Sequence, residues 1–453
     1  MNNTRDLFRV FMNNYFTSPG DRFAEMDETG IAEDGETTDV TNLIIDTEIR
    51  DWSDFTIPET TRKLEMSVNT SNPMPDGFLP VGLKRLSIDF VRRENMVVNL
   101  PPTLEVLVIG GNVPNLGDMD LPASLKVLVF EESYNYDIEQ GDIPEWISTL
   151  YFYNLNRPLE QGVLPSSLKT LTIANGFNFP ILPGTLPEGL DSLRLGGAYN
   201  KPFERQALPR GLKSLYLGRS FNQRFVPNIL PTGLKLLSIE GDNFSQPFYG
   251  GDLPDGLEVL RLGTYNRAFG SNTLPAGLTA LIIDDYDMEF VPNSLPEGLE
   301  HLELLGSYDT VFNVGILPVG LQSLVLGDYY NQPFSVGSIP AGLKLLQIGS
   351  NYNQLFTRNV LPPGLHTLKL SGRYNREFAP GVLPPGLNVL YLGRSYNQPF
   401  VRGSLPPSLT RLYLPNTYNQ TITAEILPPS TSLIVDTSRS RHNNRQARSR
   451  ENR

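Results

Sequence analysis

Acid–base or metal chemistry near neutral pH calls first on histidine, and this chain of 453 residues carries three: His301, His366 and His442. His301 and His366 fall on or beside predicted strands three repeat units apart, about 14 Å at strand spacing, too far for a shared metal ion. Both read as surface residues at variable positions, and His442 lies in the polar C-terminal segment. Carboxylates are scattered over predicted turns, and the densest group in the repeats is Asp284, Asp285, Asp287 and Glu289 in "LIIDDYDMEF". A hard cation takes such ligands, but calcium draws six or more oxygens from a shaped loop, so the group reads as a solvated turn. Cysteine is absent, which removes thiolate metal ligands and disulfides together. No Ser-His-Asp order occurs, nor GxGxxG after a strand, nor GxxxxGK[ST]. These residue types and spacings predict no catalytic residue, no cofactor, no metal and no small-molecule substrate.

Charge is concentrated at the two ends. The formal net charge is −12, yet residues 437–453 hold six Arg against one Glu, and residues 21–39 hold eight acids against one Arg. Segments of this kind have little to bury and are expected to be tails: an N-terminal helix with an acidic linker over 1–40, and a disordered basic tail over 437–453. The basic tail is the one place whose charge suits nucleic acid, an acidic partner or a membrane surface, and it reads equally as a solubilising tail, since it is short and has no aromatics; the middle of the chain has no basic stripe. The opening residues, "MNNTRDLFRVFMNNYF", are too polar for the apolar region of a signal peptide, and no run of 18 apolar residues occurs. The expected location is the cytoplasm of the producing cell, away from membranes. Sequons at Asn69, Asn243 and Asn419 carry little weight there.

The middle of the chain repeats itself. "LGRSYNQPFVRGSLPPSLTRLYL", residues 392–414, has near copies along most of the sequence. Marked by the proline of the "LP" step, units begin at Pro80, Pro101, Pro122, Pro144 and so on to Pro428, always 21 to 23 residues apart, with a degraded copy at Pro58. A period this short means a solenoid whose coils stack only on their neighbours. Leucines follow the proline at three, six and eight positions, as in Leu387, Leu390 and Leu392. The last two alternate with a variable residue, the period of a strand with one buried face. Pro and Gly interrupt every helical window. The fold class that follows is a repeat solenoid over about residues 41–436, with one short parallel β-strand per coil of about 22 residues and little or no helix beyond residues 5–16.

The rest of each unit carries three more columns. Nine residues before the following proline stands Asn in eleven of fourteen units: Asn135, Asn156, Asn178, Asn200, Asn222, Asn266, Asn331, Asn353, Asn375, Asn397 and Asn419. A short amide recurring once per coil can satisfy backbone donors left free where the chain leaves the strand, and stacked copies form a structural ladder. An aromatic precedes it and a Phe follows three residues later, as in Tyr396 and Phe400. These are large enough to fill the side of the coil opposite the strands. Three residues before the proline, Gly or Asn predominates, which predicts a left-handed turn in each coil.

With these residues in view, "LPxGLxxLxLGxxYNQPFxxGxLP" resembles the FNIP repeat, a 22-residue relative of the leucine-rich repeat found in social amoebae and in amoeba-infecting giant viruses. The resemblance covers roughly residues 58–430 and implies a leucine-rich-repeat-like solenoid, with no chemistry of its own. In the viral proteins of this kind an F-box often precedes the repeats, which implies a ubiquitin-ligase substrate receptor. An F-box needs several helices, whereas residues 1–40 show one candidate, with Leu7, Val10, Phe11 and Tyr15 on one face.

A repeat protein has specificity where it does not repeat. Between the two strand leucines, seven residues after each proline, the side chain is predicted to stand on the exposed face of the sheet. Candidate partner-binding residues there are Tyr151, Arg194, Tyr216, Arg261, Glu303, Lys369, Tyr391 and Tyr413. Tyr and Arg are the types that anchor interfaces, while Tyr, Val and Ile are also ordinary strand formers. The expected function is a non-enzymatic scaffold that binds a protein, of a host or a virus, through this face. The alternative is a structural part of a virion surface or a rod that assembles with itself.

Overall fold

The computed structural model describes residues 41–436 apart from 71, 92–97, 112–115 and 133–137. The candidate helix, the acidic linker and the basic tail lie outside the described residues. The chain divides into two compact units, residues 1–239 and 240–453.

The first unit contains β1 (Thr41–Ile49), β2 (Thr61–Val68), β3 (Arg85–Phe90), β4 (Val106–Gly111), β5 (Val127–Phe130), β6 (Thr149–Asn154), β7 (Thr170–Asn175), β8 (Ser192–Leu195), β9 (Ser214–Leu217) and β10 (Leu236–Ile239). Each pairs in parallel with the next, so β2 to β9 have both edges taken by their sequence neighbours. The second unit contains β11 (Val259–Thr264), β12 (Ala280–Asp285), β13 (His301–Leu304), β14 (Ser323–Leu326), β15 (Leu345–Ile348), β16 (Thr367–Leu370), β17 (Val389–Leu392), β18 (Arg411–Pro415) and β19 (Ser432–Asp436), again parallel and consecutive. Among the described residues there is no α-helix, and two three-residue 3-10 turns, Trp52–Asp54 and Leu116–Asp118, are confined to the first unit.

The register follows the leucines. Leu302, Leu324, Leu346, Leu368, Leu390 and Leu412 are successive strand partners, and all are fully buried. Each strand is entered through the proline turn, in which Leu343 N donates to Pro340 O at 3.1 Å and Leu387 N to Pro384 O at 3.1 Å. The next amide, Lys344 N, already donates to Gln322 O of the preceding coil at 2.8 Å. The left-handed turn is also present: three residues before the proline φ is +83° at Gly162, +86° at Gly251 and +65° at Asn359. Gln206, neither Gly nor Asn, is held there too at +67°.

Opposite the strands, aromatic rings fill the coil. In the second unit Tyr265, Tyr286, Tyr308, Tyr330, Tyr352, Tyr374 and Tyr396 form one column, ring centroids 6.0 to 6.5 Å apart and nearly parallel. A second column runs beside it through Phe312, Phe334 and Phe356 at 6.4 Å. In the first unit Phe177, Tyr199 and Phe221 repeat the pattern at 5.8 and 6.2 Å. Hydrogen-bonded strands advance by only about 4.8 Å, so within each unit a coil is a wedge, narrow on its strand side and wide on its aromatic side.

The column consists of tyrosine even though the hydroxyls of Tyr308, Tyr330, Tyr352, Tyr374 and Tyr396 are buried without a hydrogen-bond partner, and burial raises the pKa of each. Ring packing is therefore what this position supplies. Tyr352→Phe is expected to leave the melting temperature unchanged or raise it, because it removes an unpaired polar group and opens no cavity. Tyr352→Ala is expected to cost about 3–5 kcal/mol, read from urea unfolding of the two variants side by side.

Candidate interaction surface

The variable column between the strand leucines is more enclosed than its sequence pattern predicts. Tyr216 is 6 % exposed, and Thr172, Ser238 and Ile282 in the same column are 3 %, 1 % and 2 % exposed. Tyr151, Arg194, Arg261, Glu303, Lys369, Tyr391 and Tyr413 are half-buried. The physical reason is lateral: every side chain in the column has a register partner about 4.8 Å away on each neighbouring strand. The narrow side of the wedge also draws the side chains together. Tyr216 is thus removed from the set of freely presented residues.

Those lateral contacts are specific. In the first unit the Arg194 guanidinium carbon lies 4.9 Å from the centroid of the Tyr216 ring, a cation–π arrangement, while Tyr151 stands between Val129 and Thr172. In the second unit Arg261 reaches past Ile282 to Asp284, with both carboxylate oxygens 3.3 Å from its Nη2. Glu303 stands between Ile282 and Val325. Burial pushes its carboxyl up to about 7, with Arg261 opposing the shift and Asp284 adding to it. Lys369 Nζ donates to Gln347 Oε1 at 3.4 Å, and the Tyr391 and Tyr413 rings lie 5.6 Å apart at 38°.

The histidines and the acidic group resolve differently. His366 is exposed as predicted, but the His301 side chain is only 17 % exposed, since its strand is flanked at that register by Ala280 and Ser323. Burial lowers its pKa and keeps the ring neutral at physiological pH. The carboxylates of residues 284–289 do not converge. Asp284 faces Arg261, Asp285 Oδ1 accepts from Ser307 N at 2.6 Å, and Asp287 Oδ1 accepts from the Asn266 amide at 3.2 Å once that amide is oriented to satisfy its neighbours. Among the described residues no group of three or more His, Asp or Glu is placed to hold a metal ion, and no helix is long and apolar enough to cross a membrane.

The asparagine column has a definite geometry. In the first unit Asn178 Oδ1 accepts from Asn200 N and Asn200 Oδ1 from Asn222 N, both at 2.9 Å. In the second, Asp309, Asn331, Asn353, Asn375 and Asn397 accept in turn from the backbone amides of Asn331, Asn353, Asn375, Asn397 and Asn419 at 2.8 to 3.0 Å. Each side chain thus serves the next coil, not its own turn. Asn266 departs from this, donating through its amide as described, and Asn156 is exposed where Leu155, not an aromatic, precedes it. Asn135 lies outside the described residues. Sequence reasoning missed the glutamine that follows: Gln223 Nε2 donates to Asn200 Oδ1 at 2.9 Å, and Gln354 Nε2 to Asn331 O at 2.8 Å. The recurring "YNQ" was the available signal.

The FNIP repeat model matches residues 134–176, 177–220, 221–264, 265–307, 308–351, 330–373, 352–395, 374–417 and 396–435. The chain belongs to the FNIP repeat family. Among solved structures, this FNIP protein is similar to CroV588 of a giant virus, described as a novel circular leucine-rich-repeat protein, with TM-score 0.69 and 28% identity over 84% of this chain. The match spans just under two thirds, 66%, of that protein's length. The Toll–Spatzle complex of Drosophila matches over 86% of this chain and 60% of that one at 16% identity and TM-score 0.50, which shows fold alone. YopM from Yersinia enterocolitica matches over 83% of this chain and 91% of its own at 22% identity, with TM-score 0.44. The search of curated proteins returned no match. The fold is leucine-rich-repeat-like, commonly a protein-interaction scaffold and typically non-catalytic.

Glu303 holds its proton in the folded state up to about pH 7 but only to about 4.5 when unfolded. The native state therefore binds the extra proton in that window, and the contribution of Glu303 to stability falls as pH rises through it. Glu303→Gln is expected to be more stable than wild type at about pH 8 and to lose that advantage at about pH 4.5, measured as urea midpoints across the range. Asn353→Ala deprives Asn375 N of its acceptor and is expected to cost about 1–3 kcal/mol, seen as a lower denaturation midpoint.

Proposed function

We propose that this FNIP protein is a non-catalytic scaffold that binds another protein through the strand face of its repeats, at the column holding Tyr151, Arg194, Arg261, Glu303, Lys369, Tyr391 and Tyr413. One observation carries the reading. The columns on either side stay apolar from strand to strand, one of them leucine and the other leucine, isoleucine or another large apolar residue, whereas the residue between them changes in charge, size and aromaticity at almost every step. Core packing constrains the first and leaves the second free for recognition.

Half-burial strengthens the proposal. A side chain already held by its lateral neighbours, as Tyr391 is by Tyr413, loses less freedom when a partner arrives than a fully exposed one. Tyr and Arg in such positions are the types that dominate interface energetics. The partner that fits is a protein presenting apolar and hydrogen-bonding groups to the tyrosine pair.

Binding is tested with Tyr391→Ser and Tyr413→Ser, separately and together, against a partner captured with the immobilised chain and then purified. Loss of a central aromatic anchor is expected to weaken affinity about thirtyfold or more in a titration, while near-ultraviolet spectra and the melting curve stay close to wild type. Undiminished affinity in the double variant would exclude this end of the strand face.

A further inference from the structure

The second unit is divided by charge along its stack of coils. Residues 240–339 hold fourteen Asp and Glu against two Arg, whereas residues 340–436 hold eight Lys and Arg against three acids. The division reaches the aromatic side of the coils, away from the strand column. In the six coils that lead to Pro296, Pro318, Pro340, Pro362, Pro384 and Pro406, the residues seven, five and four before the proline are all exposed. In chain order this face is acidic, then apolar, then basic. Asp287 and Glu289 stand on its first coil. Val291, Val311, Val314, Val336 and Leu355 follow, each 36 to 66 % exposed. Arg358, Arg376 and Arg402 come next, with Glu377 the one acid among them. Side chains on this face meet from coil to coil: a Cβ built on Gly337 would stand 3.8 Å from Val314 Cγ1, Arg358 Nε donates to Pro380 O at 3.1 Å, and Arg376 Nε donates to Asn353 O at 2.9 Å. An exposed apolar patch bordered by charge is the mark of an interaction surface.

We propose that this face binds the same face of a second copy of the chain, the two coil stacks antiparallel about a two-fold axis that lies in the contact and crosses between the Val314 and Val336 coils. Charge complementarity selects this occupant. About that axis Val314 is set against Val336 of the other copy, and the coil carrying Asp287, Glu289 and Val291 is set against the coil carrying Leu355 and Arg358. Acid meets base and aliphatic meets aliphatic in both halves of the contact, since a two-fold axis repeats each pairing. A parallel pair on the same face would set the acidic coil against its own copy and the basic coil likewise, which like charges oppose. An isologous face is used up when it pairs, so the assembly stops at two copies. Size sets the strength of the contact. Four coils at about 6 Å and six residues at about 3.3 Å cover roughly 500 Å² per copy, less than the standard of about 800 Å², so the dimer is weak and forms in the micromolar range. The strand column lies on the other side of each coil and stays open to the partner proposed above.

The test uses the full chain in sedimentation velocity from about 1 to 200 μM. Wild type is expected to pass from monomer to dimer and no further, and to need more protein to do so as salt rises from about 50 to 500 mM, because the charged coils are screened. Val314→Asp with Val336→Asp places carboxylates at the centre of the contact and is expected to leave a monomer. Both positions are exposed, and an unchanged melting curve checks that the variant folds. The charges give an independent readout. Glu289→Arg and Arg358→Glu are each expected to weaken dimerisation about tenfold or more when alone. Mixed in equal amounts, these two variants are expected to form a heterodimer at close to wild-type affinity, because every charged contact between them again joins an acid to a base. Wild type that stays monomeric over the whole range overturns the proposal. Growth beyond the dimer does so too, as does a dimer that survives the valine pair or charge variants that fail to rescue one another.

Discussion

Everything in this molecule depends on the requirement that each coil donate backbone hydrogen bonds to the coil before it at a fixed strand spacing. Lys344 N to Gln322 O, Leu345 N to Gln322 O and Gly349 N to Leu326 O are one instance, and the same pattern recurs along each unit. A constraint that recurs once per coil makes each position in the repeat a column, and a side chain must then suit two identical neighbours as well as its own coil. Leucine meets this on the strand side by interdigitation. Tyrosine and phenylalanine meet it on the far side by parallel stacking at about 6 Å, a spacing that rings adopt readily. The mismatch between the two spacings is what gives the coil its wedge section.

Polar groups obey the same rule. An asparagine that capped its own turn would leave the amide of the next coil without this partner, and that omission would recur along the array. Placing Oδ1 against the next coil's backbone N–H closes the account once per unit, and the following glutamine adds a second bond to the same acceptor residue in "YNQ" units. Where the acceptor changes to Asp309, the bond to Asn331 persists at 2.8 Å, because the carboxylate offers the same oxygen. Glycine at the strand exit answers to backbone crowding: a Cβ built on Gly327 would collide with the carbonyl oxygen of Leu305 in the preceding coil.

Uniform columns leave the variable one to carry specificity, and the wedge holds it close. Arg194 over Tyr216, Tyr391 beside Tyr413 and Arg261 on Asp284 are contacts between neighbouring coils, so the character of the strand face is set by pairs of repeats and not by single residues. Glu303 is the extreme case. With Ile282 and Val325 on either side it is an acid in an apolar setting whose charge state varies near neutral pH.

The sequence by itself determined the period, the strand in each coil, the core leucines and the left-handed turn. These are properties that one repeat must satisfy locally, and seventeen approximate copies make them visible against the noise of any single unit. The aromatic and asparagine columns were legible for the same reason. What tertiary structure alone decided is what happens between coils. Whether Tyr216 is presented or buried depends on Arg194 and Ser238 in adjacent strands, which no property of its own unit reveals. The direction of the asparagine bond, the separation of Asp284, Asp285 and Asp287 onto three different partners, and the enclosure of His301 are likewise set by neighbours about 22 residues away. Local patterns are written in the order of residues along the chain; lateral contacts depend on the spacing and rotation from one coil to the next, and those emerge only when the backbone bonds and the aromatic stack have both been satisfied.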